Sequence, residues 1–430
     1  MTTTAAPDTD AAAVAERTTT RRALTARRPG LLAVWGPGLI VMLADTDAGS
    51  LITAAQSGAR WGYAMVLPQV VLIPILYMAQ EITVRLGVVT GRGHGELIRE
   101  RFGPAWAYLS AATLLLSAVG ALLTEFAGVA GVGQLFGVSK WVTVPVATAA
   151  LVGVAFLRGY SRVERVGIVV GLAELAFIPA MVLAHPSGHQ LLHGLGSAPF
   201  GRGSYTRLVA ANIGAVIMPW MVFYQQGAVI DKGITADQLR QERRDTAVGS
   251  VVSQAIMIAV VVALAATAFG ARRGAALETV GQIAASLTPA LGSGPADALV
   301  GAGVLGAALV AALVVSLAGA WGLSEVFGWR HSLNDGLNRR NAPFYLTYSV
   351  AHVAGAVLVL ASVDLVGLAV DAEVMNALLL PIVLGFLLLL EARALPDAYR
   401  MRGWYRWIAT GLCLVVMGFG LYLVPASLGW

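Results

Sequence analysis

Charged residues are scarce in this chain. Asp, Glu, Lys and Arg make up only 12% of its 430 residues, whereas 57% are hydrophobic; soluble globular chains carry about 25% charged residues. Many separate apolar stretches exceed the roughly 18 residues that mark a membrane-spanning helix. These runs are continuous, unlike the short alternating segments of a transmembrane barrel. The sequence therefore predicts an all-α polytopic membrane protein.

Cysteine and the common catalytic and nucleotide-binding motifs are also lacking. The single cysteine, Cys413, excludes an intramolecular disulfide and a C-x-x-C metal site. No Walker A, HExxH or GxSxG sequence occurs, which argues against ATP-driven transport and against an intramembrane protease. The glycines around His94 follow no predicted strand, so they do not predict a nucleotide-binding loop. We expect no enzyme, no bound cofactor and neither nucleic acid nor nucleotide as a partner; the oligomeric state is left open.

The apolar runs predict eleven spanning helices. Residues 1–30 are rich in Thr, Ala and Arg, lack the apolar stretch of a signal peptide, and predict a disordered cytoplasmic basic tail. Residues 31–430 are then expected to form one transmembrane domain in the lipid bilayer. The approximate ranges of the spans are 34–60, 64–81, 104–136, 141–157, 165–184, 205–230, 247–269, 298–326, 345–362, 370–391 and 403–426.

The positions of Lys and Arg predict the orientation. With the N-terminus in the cytoplasm, 23 of the 29 Lys and Arg residues fall inside and 6 outside. Cytoplasmic loops carry the excess of these residues. We therefore expect an integral protein of the cytoplasmic membrane, and the odd number of spans places its C-terminus outside. The six outside residues are Arg60, Lys140, Arg202, Arg207, Arg272 and Arg273.

Two of the predicted helices are interrupted. The sequence DTDAGS, residues 45–50, breaks the first with a glycine and short polar residues that favour non-helical backbone. Pro219 breaks the sixth and disfavours the α conformation at Met218. Discontinuous helices at matching places in two halves of a chain indicate a transporter with inverted repeats and a midplane binding site. Freed backbone carbonyls and the adjacent acids Asp45 and Asp47 suit a cation there.

These two segments carry a resemblance to a known family. GPGLIVMLADTDAGS resembles the first-helix segment of the NRAMP divalent-metal transporters, whose motif is Asp-Pro-Gly-Asn. AVIMPW resembles the sixth-helix motif Ala-x-x-Met-Pro-His of that family, and residues 85–103 resemble its linker after helix two. The resemblance implies a LeuT-like fold of two inverted five-helix repeats, here 34–184 and 205–391, plus an eleventh helix at 403–426.

The resemblance also implies a metal site. It identifies Asp47 as the charged ligand and Met218 as the thioether ligand, and it implies that Ala44 and Ala215 contribute backbone carbonyls. Ser50 stands at the position of an asparagine ligand; its hydroxyl either binds the cation, directly or through water, or only bonds its own backbone.

Asp45 is left with two interpretations: a further ligand in an enlarged site, or a solvated charge in a vestibule.

Two departures from the family concern proton coupling. Trp220 replaces the sixth-helix histidine, and Leu122 replaces an aspartate in helix three, whereas Glu125 matches the glutamate of that helix. These losses resemble the divergent bacterial branch of NRAMP-related magnesium and manganese transporters, which lack proton coupling. Met218 instead favours a transition metal over Mg²⁺ as the substrate, because a thioether prefers transition metals whereas Mg²⁺ prefers oxygen ligands.

Several other polar residues lie in the predicted spans. Glu125 is either a hydrogen-bonded interior acid or a proton or metal relay. Tyr224 either lines the inner vestibule or bonds neighbouring helices, and Asn376 is a candidate to reach the site from helix ten. A larger set is interpreted as hydrogen-bonded structural residues: Glu174, Gln254, Glu325 and His352.

The sequence thus predicts an importer of Mn²⁺, Mg²⁺ or both that is not coupled to protons. Three rivals remain: a carrier of an organic solute such as an amino acid on the same fold, a proton-coupled transition-metal symporter, and a sensor that binds metal without transporting it.

Overall fold

The computed structural model describes residues 36–157, 159–269, 277, 279–361 and 365–427. Helices are the regular secondary structure of these residues, and no strand occurs among them. The predicted tail, residues 1–30, lies outside this part of the chain, as do Arg272 and Arg273.

Nine α-helices lie among the described residues before position 200. They are α1 (Pro37–Asp45), α2 (Ala48–Trp61), α3 (Val66–Thr90), α4 (His94–Phe102), α5 (Pro104–Leu135), α6 (Lys140–Ala155), α7 (Tyr160–Gly171), α8 (Phe177–Leu183) and α9 (Gly188–Leu195). Short 3₁₀ segments at Gly62–Met65 and Leu172–Ala176 join α2 to α3 and α7 to α8.

The part of the chain described after position 200 contains eight more. They are α10 (Gly203–Val216), α11 (Pro219–Lys232), α12 (Leu239–Thr267), α13 (Val280–Leu291), α14 (Ser293–Phe327), α15 (Ala342–Ala361), α16 (Leu365–Ala394) and α17 (Gly403–Ser427). Further 3₁₀ segments lie at Ala236–Gln238 and Asp397–Tyr399.

These helices account for all eleven predicted spans. Nine helical stretches of the described residues are long and apolar enough to cross a membrane. One of them, Ala48–Thr90, contains both the second half of span one and the whole of span two. Lys140–Ala155, which corresponds to span four, is apolar but has only 16 residues. Three helices were not predicted: α4 in the linker after span two, α9 before the sixth span, and α13 before the eighth.

The interrupted helices lie at the centre of the packing. Helix α12 packs against α1, α2 and α3, while α14 packs against α5, α2 and α11. Helix α16 contacts α10, α5 and α2. Each interruption is therefore surrounded by long continuous helices, as is required where non-helical backbone lies at membrane depth.

Candidate metal site at two helix breaks

The first break separates α1 from α2. Helix α1 ends at Asp45, and Asp47 adopts extended backbone angles of φ −61° and ψ 173° as the N-cap of α2. One carboxylate oxygen of Asp47, Oδ1, accepts the Ser50 N–H at 2.7 Å. This is the capping bond that an Asp makes at the start of a helix. The second oxygen, Oδ2, is buried with no hydrogen-bond partner among the described residues.

The second break separates α10 from α11. Ile217 and Met218 are both extended, with φ and ψ of −127° and 90° and of −99° and 140° respectively. Pro219 is the first residue of α11, a position that tolerates its missing N–H. The end of α10 leaves backbone carbonyls without helical partners. The break therefore supplies carbonyl oxygens and the Met218 thioether, but no charge.

A direct hydrogen bond joins the two breaks. The Ser50 hydroxyl donates to the Ala215 carbonyl at 2.9 Å. Ala44, Asp47, Ser50, Ala215 and Met218 are each fully buried. The structure thus brings Asp47, Ser50 and Ala215 together, although they are as far as 168 positions apart in the sequence.

Glu125 on α5 contacts the first break. Its Oε2 accepts the backbone N–H of Ala48 at 3.1 Å, and its Oε1 accepts the Thr124 hydroxyl at 3.0 Å. Its carboxyl group interacts with that of Asp47. Of the two alternatives for Glu125, the interior hydrogen bonds are present, and the acid also lies beside the charged residue of the break.

Glu373 on α16 is a residue that the sequence interpretation missed. A side chain at Gly49 would place its Cβ 2.5 Å from Glu373 Oε1, and one at Gly214 would place it 1.8 Å from the Glu373 carbonyl oxygen. Glu373 therefore touches the helices that flank both breaks, and its backbone can approach α10 this closely because residue 214 is a glycine. Its Oε1 has no hydrogen-bond partner among the described residues. A signal was present in VDAEVMNALLLP, because an acid inside an apolar run is a functional candidate by default.

Asn376 approaches the site through Glu373. Its side-chain N–H donates to Glu373 Oε2 at 3.0 Å, and its carbonyl oxygen accepts the Ser117 hydroxyl at 2.8 Å. Tyr224 lies elsewhere: it is about 9 Å along α11 from Met218, and its ring packs against Trp321 at 5.4 Å between centroids.

Two further acids lie on the α1 side of the first break. Asp45 Oδ2 accepts the Ser253 hydroxyl of α12 at 2.6 Å, and Asp45 is 1% exposed, so it is not a solvated charge. Glu174, in the 3₁₀ segment after α7, contacts the hydroxyl of Thr46. One oxygen of each carboxyl group is buried without a partner in the described chain.

The four residues interpreted as structural differ in outcome. Glu325 accepts the Gly95 N–H at 2.9 Å, and His352 Nδ1 lies 3.0 Å from the Tyr348 carbonyl. Glu174 instead lies against the first break. Gln254 is fully buried, and neither of its side-chain polar atoms has a partner among the described residues. Each of the four side chains keeps at least one buried polar atom without a partner among the described residues, so burial in an apolar run did not imply full hydrogen bonding.

Acidic groups dominate the surroundings of the first break. Five buried carboxyl groups lie in or against it, and none forms an ion pair within the part of the chain that the structure describes. Among all described residues, Arg85 is the one buried Lys or Arg, and it pairs with Glu81. No three His, Cys, Asp or Glu side chains of the described residues converge on one metal position. Carbonyl, hydroxyl and thioether groups must therefore complete any metal site. The five acids are Asp45, Asp47, Glu125, Glu174 and Glu373.

Two interrupted helices that meet inside a bundle of continuous ones define a LeuT-fold membrane protein. The fold is shared with a Na⁺-coupled sialic acid symporter, at a TM-score of 0.59 and 14% identity over 91% of this chain and 89% of that one. It is shared more closely with a manganese transporter of Eremococcus coleocola, at a TM-score of 0.74 and 18% identity over 94% and 89% of the two chains.

The sequence identifies the family within that fold. Residues 38–426 match the family model described as natural resistance-associated macrophage protein-like. The chain is 26% identical to the divalent metal cation transporter MntH of Verminephrobacter eiseniae over 97% of its own length and 96% of the relative. The chain therefore belongs to the NRAMP family, as the two helix-break motifs predict. Its relatives are transporters and not enzymes.

Proposed function

We propose that this protein is a divalent metal cation transporter that carries Mn²⁺, Mg²⁺ or both into the cytoplasm. The observation that carries the proposal is the set of five buried acids at the breaks, with no basic partner among the described residues. The relatives reported above are named as transporters of divalent metal cations and of manganese, which supports the same conclusion.

Electrostatics favour a dication at this position. A carboxylate near the bilayer centre costs about 2.5–3.5 kcal/mol on insertion scales. A bound dication offsets that cost for Asp47 and for its acidic neighbours together. The membrane potential adds about 2.3 kcal/mol per charge per 100 mV in favour of inward movement. An organic solute with a carboxylate would instead be repelled by Asp47, which disfavours the amino-acid carrier.

The donor atoms point to a site of mixed character. Asp47 offers a free carboxylate oxygen, Ser50 a hydroxyl, and Ala44 and Ala215 their carbonyls; these oxygens suit Mn²⁺ and Mg²⁺. Met218 adds one sulfur, which favours the softer Mn²⁺. Asp45 and Glu373 extend the oxygen-rich surroundings beyond these five groups. We assign Mn²⁺ and Mg²⁺ as the substrates on this balance.

Uncoupled uptake is the mechanism that we propose. Trp220 and Leu122 do not titrate, and they stand at two positions where the wider family keeps ionisable groups. Glu125, Glu174 and Glu373 favour a second candidate, a proton-coupled symporter, because buried acids form the proton relays of transporters. The two candidates differ in one observable, the acidification that accompanies metal uptake.

We propose the predicted orientation and repeat boundaries as well. The Lys and Arg distribution supports a cytoplasmic-membrane protein with its N-terminus inside and its C-terminus outside. The breaks at residues 45–47 and 217–218 lie at corresponding places in the repeats 34–184 and 205–391, which supports that division.

Uptake into liposomes tests the function. Purified protein is reconstituted with a metal-sensitive dye inside, Mn²⁺ or Mg²⁺ is added outside, and the voltage is clamped with a potassium ionophore. We expect uptake that the Asp47→Ala variant lacks. Binding without uptake would identify a sensor. The absence of both binding and uptake would refute the proposal.

A pH-sensitive dye in matched liposomes tests the coupling. We expect no acidification during metal uptake. Metal-dependent acidification, absent from empty liposomes and from Asp47→Ala, would establish the proton-coupled candidate instead.

A further inference from the structure

Trp220 makes an unusual contact with the second break. Its indole Nε1–H donates to the sulfur of Met218, with 3.2 Å between Nε1 and Sδ. Both side chains are fully buried. Residues two positions apart on a helix do not face each other, but Met218 is extended and Trp220 lies in the first turn of α11. The break itself therefore makes this contact possible.

The bond changes the sulfur as a metal ligand. The indole N–H can only donate a hydrogen bond, and leaving it buried without an acceptor destabilises the folded protein. When the indole N–H donates to Met218, it occupies one lone pair of the thioether sulfur and draws electron density from that sulfur. Groups outside the ligand shell tune metal ligands in this way. The sulfur is left a weaker donor.

We propose that Trp220 sets the metal preference of the site by holding the Met218 thioether in this hydrogen bond. Metals gain from sulfur in the order of their softness, so Cd²⁺ loses most, Mn²⁺ loses less and Mg²⁺ loses nothing. The proposal rests on the proposed function. It accounts for a soft ligand in a site whose other donors are oxygens: the sulfur is present, but its preference for soft ions is reduced.

Trp220→Phe removes the N–H and keeps an aromatic ring. We expect Cd²⁺ affinity by isothermal titration to rise about two- to tenfold, the range that one net hydrogen bond represents, Mn²⁺ affinity to rise less, and Mg²⁺ affinity to stay unchanged. Trp321→Phe is the matched control, since Trp321 is also buried and contacts Tyr224. It should leave the ratio of the three affinities unchanged.

A double-mutant comparison isolates the sulfur. The gain in Cd²⁺ affinity should vanish when Trp220→Phe is made in a Met218→Ala background. An equal change for all three metals, no change, or a gain that persists without Met218 would overturn the proposal.

Replacement of Trp220 by 3-benzothienylalanine keeps the ring shape and removes only the N–H, so it serves if Trp220→Phe fails to fold. It should give the same selective gain, and an unchanged Cd²⁺ to Mg²⁺ ratio would again overturn the proposal. If the unmodified protein bound neither Mn²⁺ nor Mg²⁺, the proposed function itself would be overturned.

Discussion

The two helix breaks both contain extended backbone, but they differ in the chemical groups that they present. The first, at residues 45–47, contains two carboxylates, and three more acids reach it from α5, α16 and the segment after α7. The second, at residues 217–218, contains no ionisable side chain and offers carbonyls and one thioether. Charge is thus concentrated at one break and ligand softness at the other. We infer that the first break determines whether a dication binds and the second determines which one.

The strongest way to break this contrast is to remove the charge of Asp47. Asp47→Asn keeps a side-chain oxygen for the Ser50 N–H and remains a good helix cap. We expect Mn²⁺ affinity by isothermal titration to fall more than about 100-fold, beyond the 10- to 100-fold typical of groups outside the ligand shell. Asp371→Asn is the control, because Asp371 forms an exposed ion pair with Arg207. Affinity retained in Asp47→Asn would refute the site assignment.

Glu373 tests whether the charge of the first break extends to α16. Glu373→Gln keeps an oxygen for the Asn376 N–H but removes the negative charge beside Gly49. We expect Mn²⁺ affinity to fall about 10- to 100-fold, with the thermal unfolding midpoint unchanged or raised, because a buried charge is removed. Glu96→Gln, at a half-exposed side chain that pairs with Arg92, is the control. A large loss of stability with unaltered affinity would make Glu373 a structural residue only.

Met218 tests whether the second break determines which metal binds. Met218→Ala should weaken Cd²⁺ binding about tenfold and Mn²⁺ binding less, while Mg²⁺ binding stays the same, because only softer ions gain from sulfur. Competition titrations with the three metals measure this order. Met65→Ala removes another buried methionine, in the turn between α2 and α3, and should not alter selectivity. Equal losses for every metal would mean that Met218 is only a packing residue.

The smallest effect is expected at the bond between the breaks. Ser50→Ala removes the hydroxyl that reaches Ala215 but keeps the backbone N–H that binds Asp47. One neutral hydrogen bond corresponds to about 0.5–1.5 kcal/mol, so Mn²⁺ affinity should fall about two- to tenfold. Ser286→Ala, at a hydroxyl that bonds within its own helix, should leave affinity unchanged. A loss as large as that of Asp47→Asn would show that the carboxylate charge contributes no more to metal binding than this hydroxyl does.

The sequence predicts the breaks well because their signals are local. The short polar residues Asp45, Thr46 and Asp47 favour non-helical backbone, and the helix is interrupted at residues 46–47, whereas Gly49 lies in the first turn of α2. Pro219 acts on Met218 through sterics that need no tertiary contact. The eleven spans follow from apolar length in the same way. Only the bounds and the short helices of the loops differ from expectation.

The acids from neighbouring helices were harder to predict. Glu373 lies three residues inside the predicted start of its span, where an acid resembles a membrane-edge charge, and apolar periodicity does not say that it faces Gly49. Glu174 lies in a 3₁₀ segment that nothing in its sequence signals. The bond from Trp220 to Met218 depends on two side-chain conformations, and no sequence pattern encodes it.

Anomalous diffraction from crystals of the protein grown with Mn²⁺ tests the central claim most directly. We expect a manganese peak between the Asp47 carboxylate and the Met218 sulfur, within bonding range of Ser50 and of the Ala44 and Ala215 carbonyls. A peak beside Asp45 and Glu174 with none at Asp47, or a peak that does not involve the second break, would contradict it.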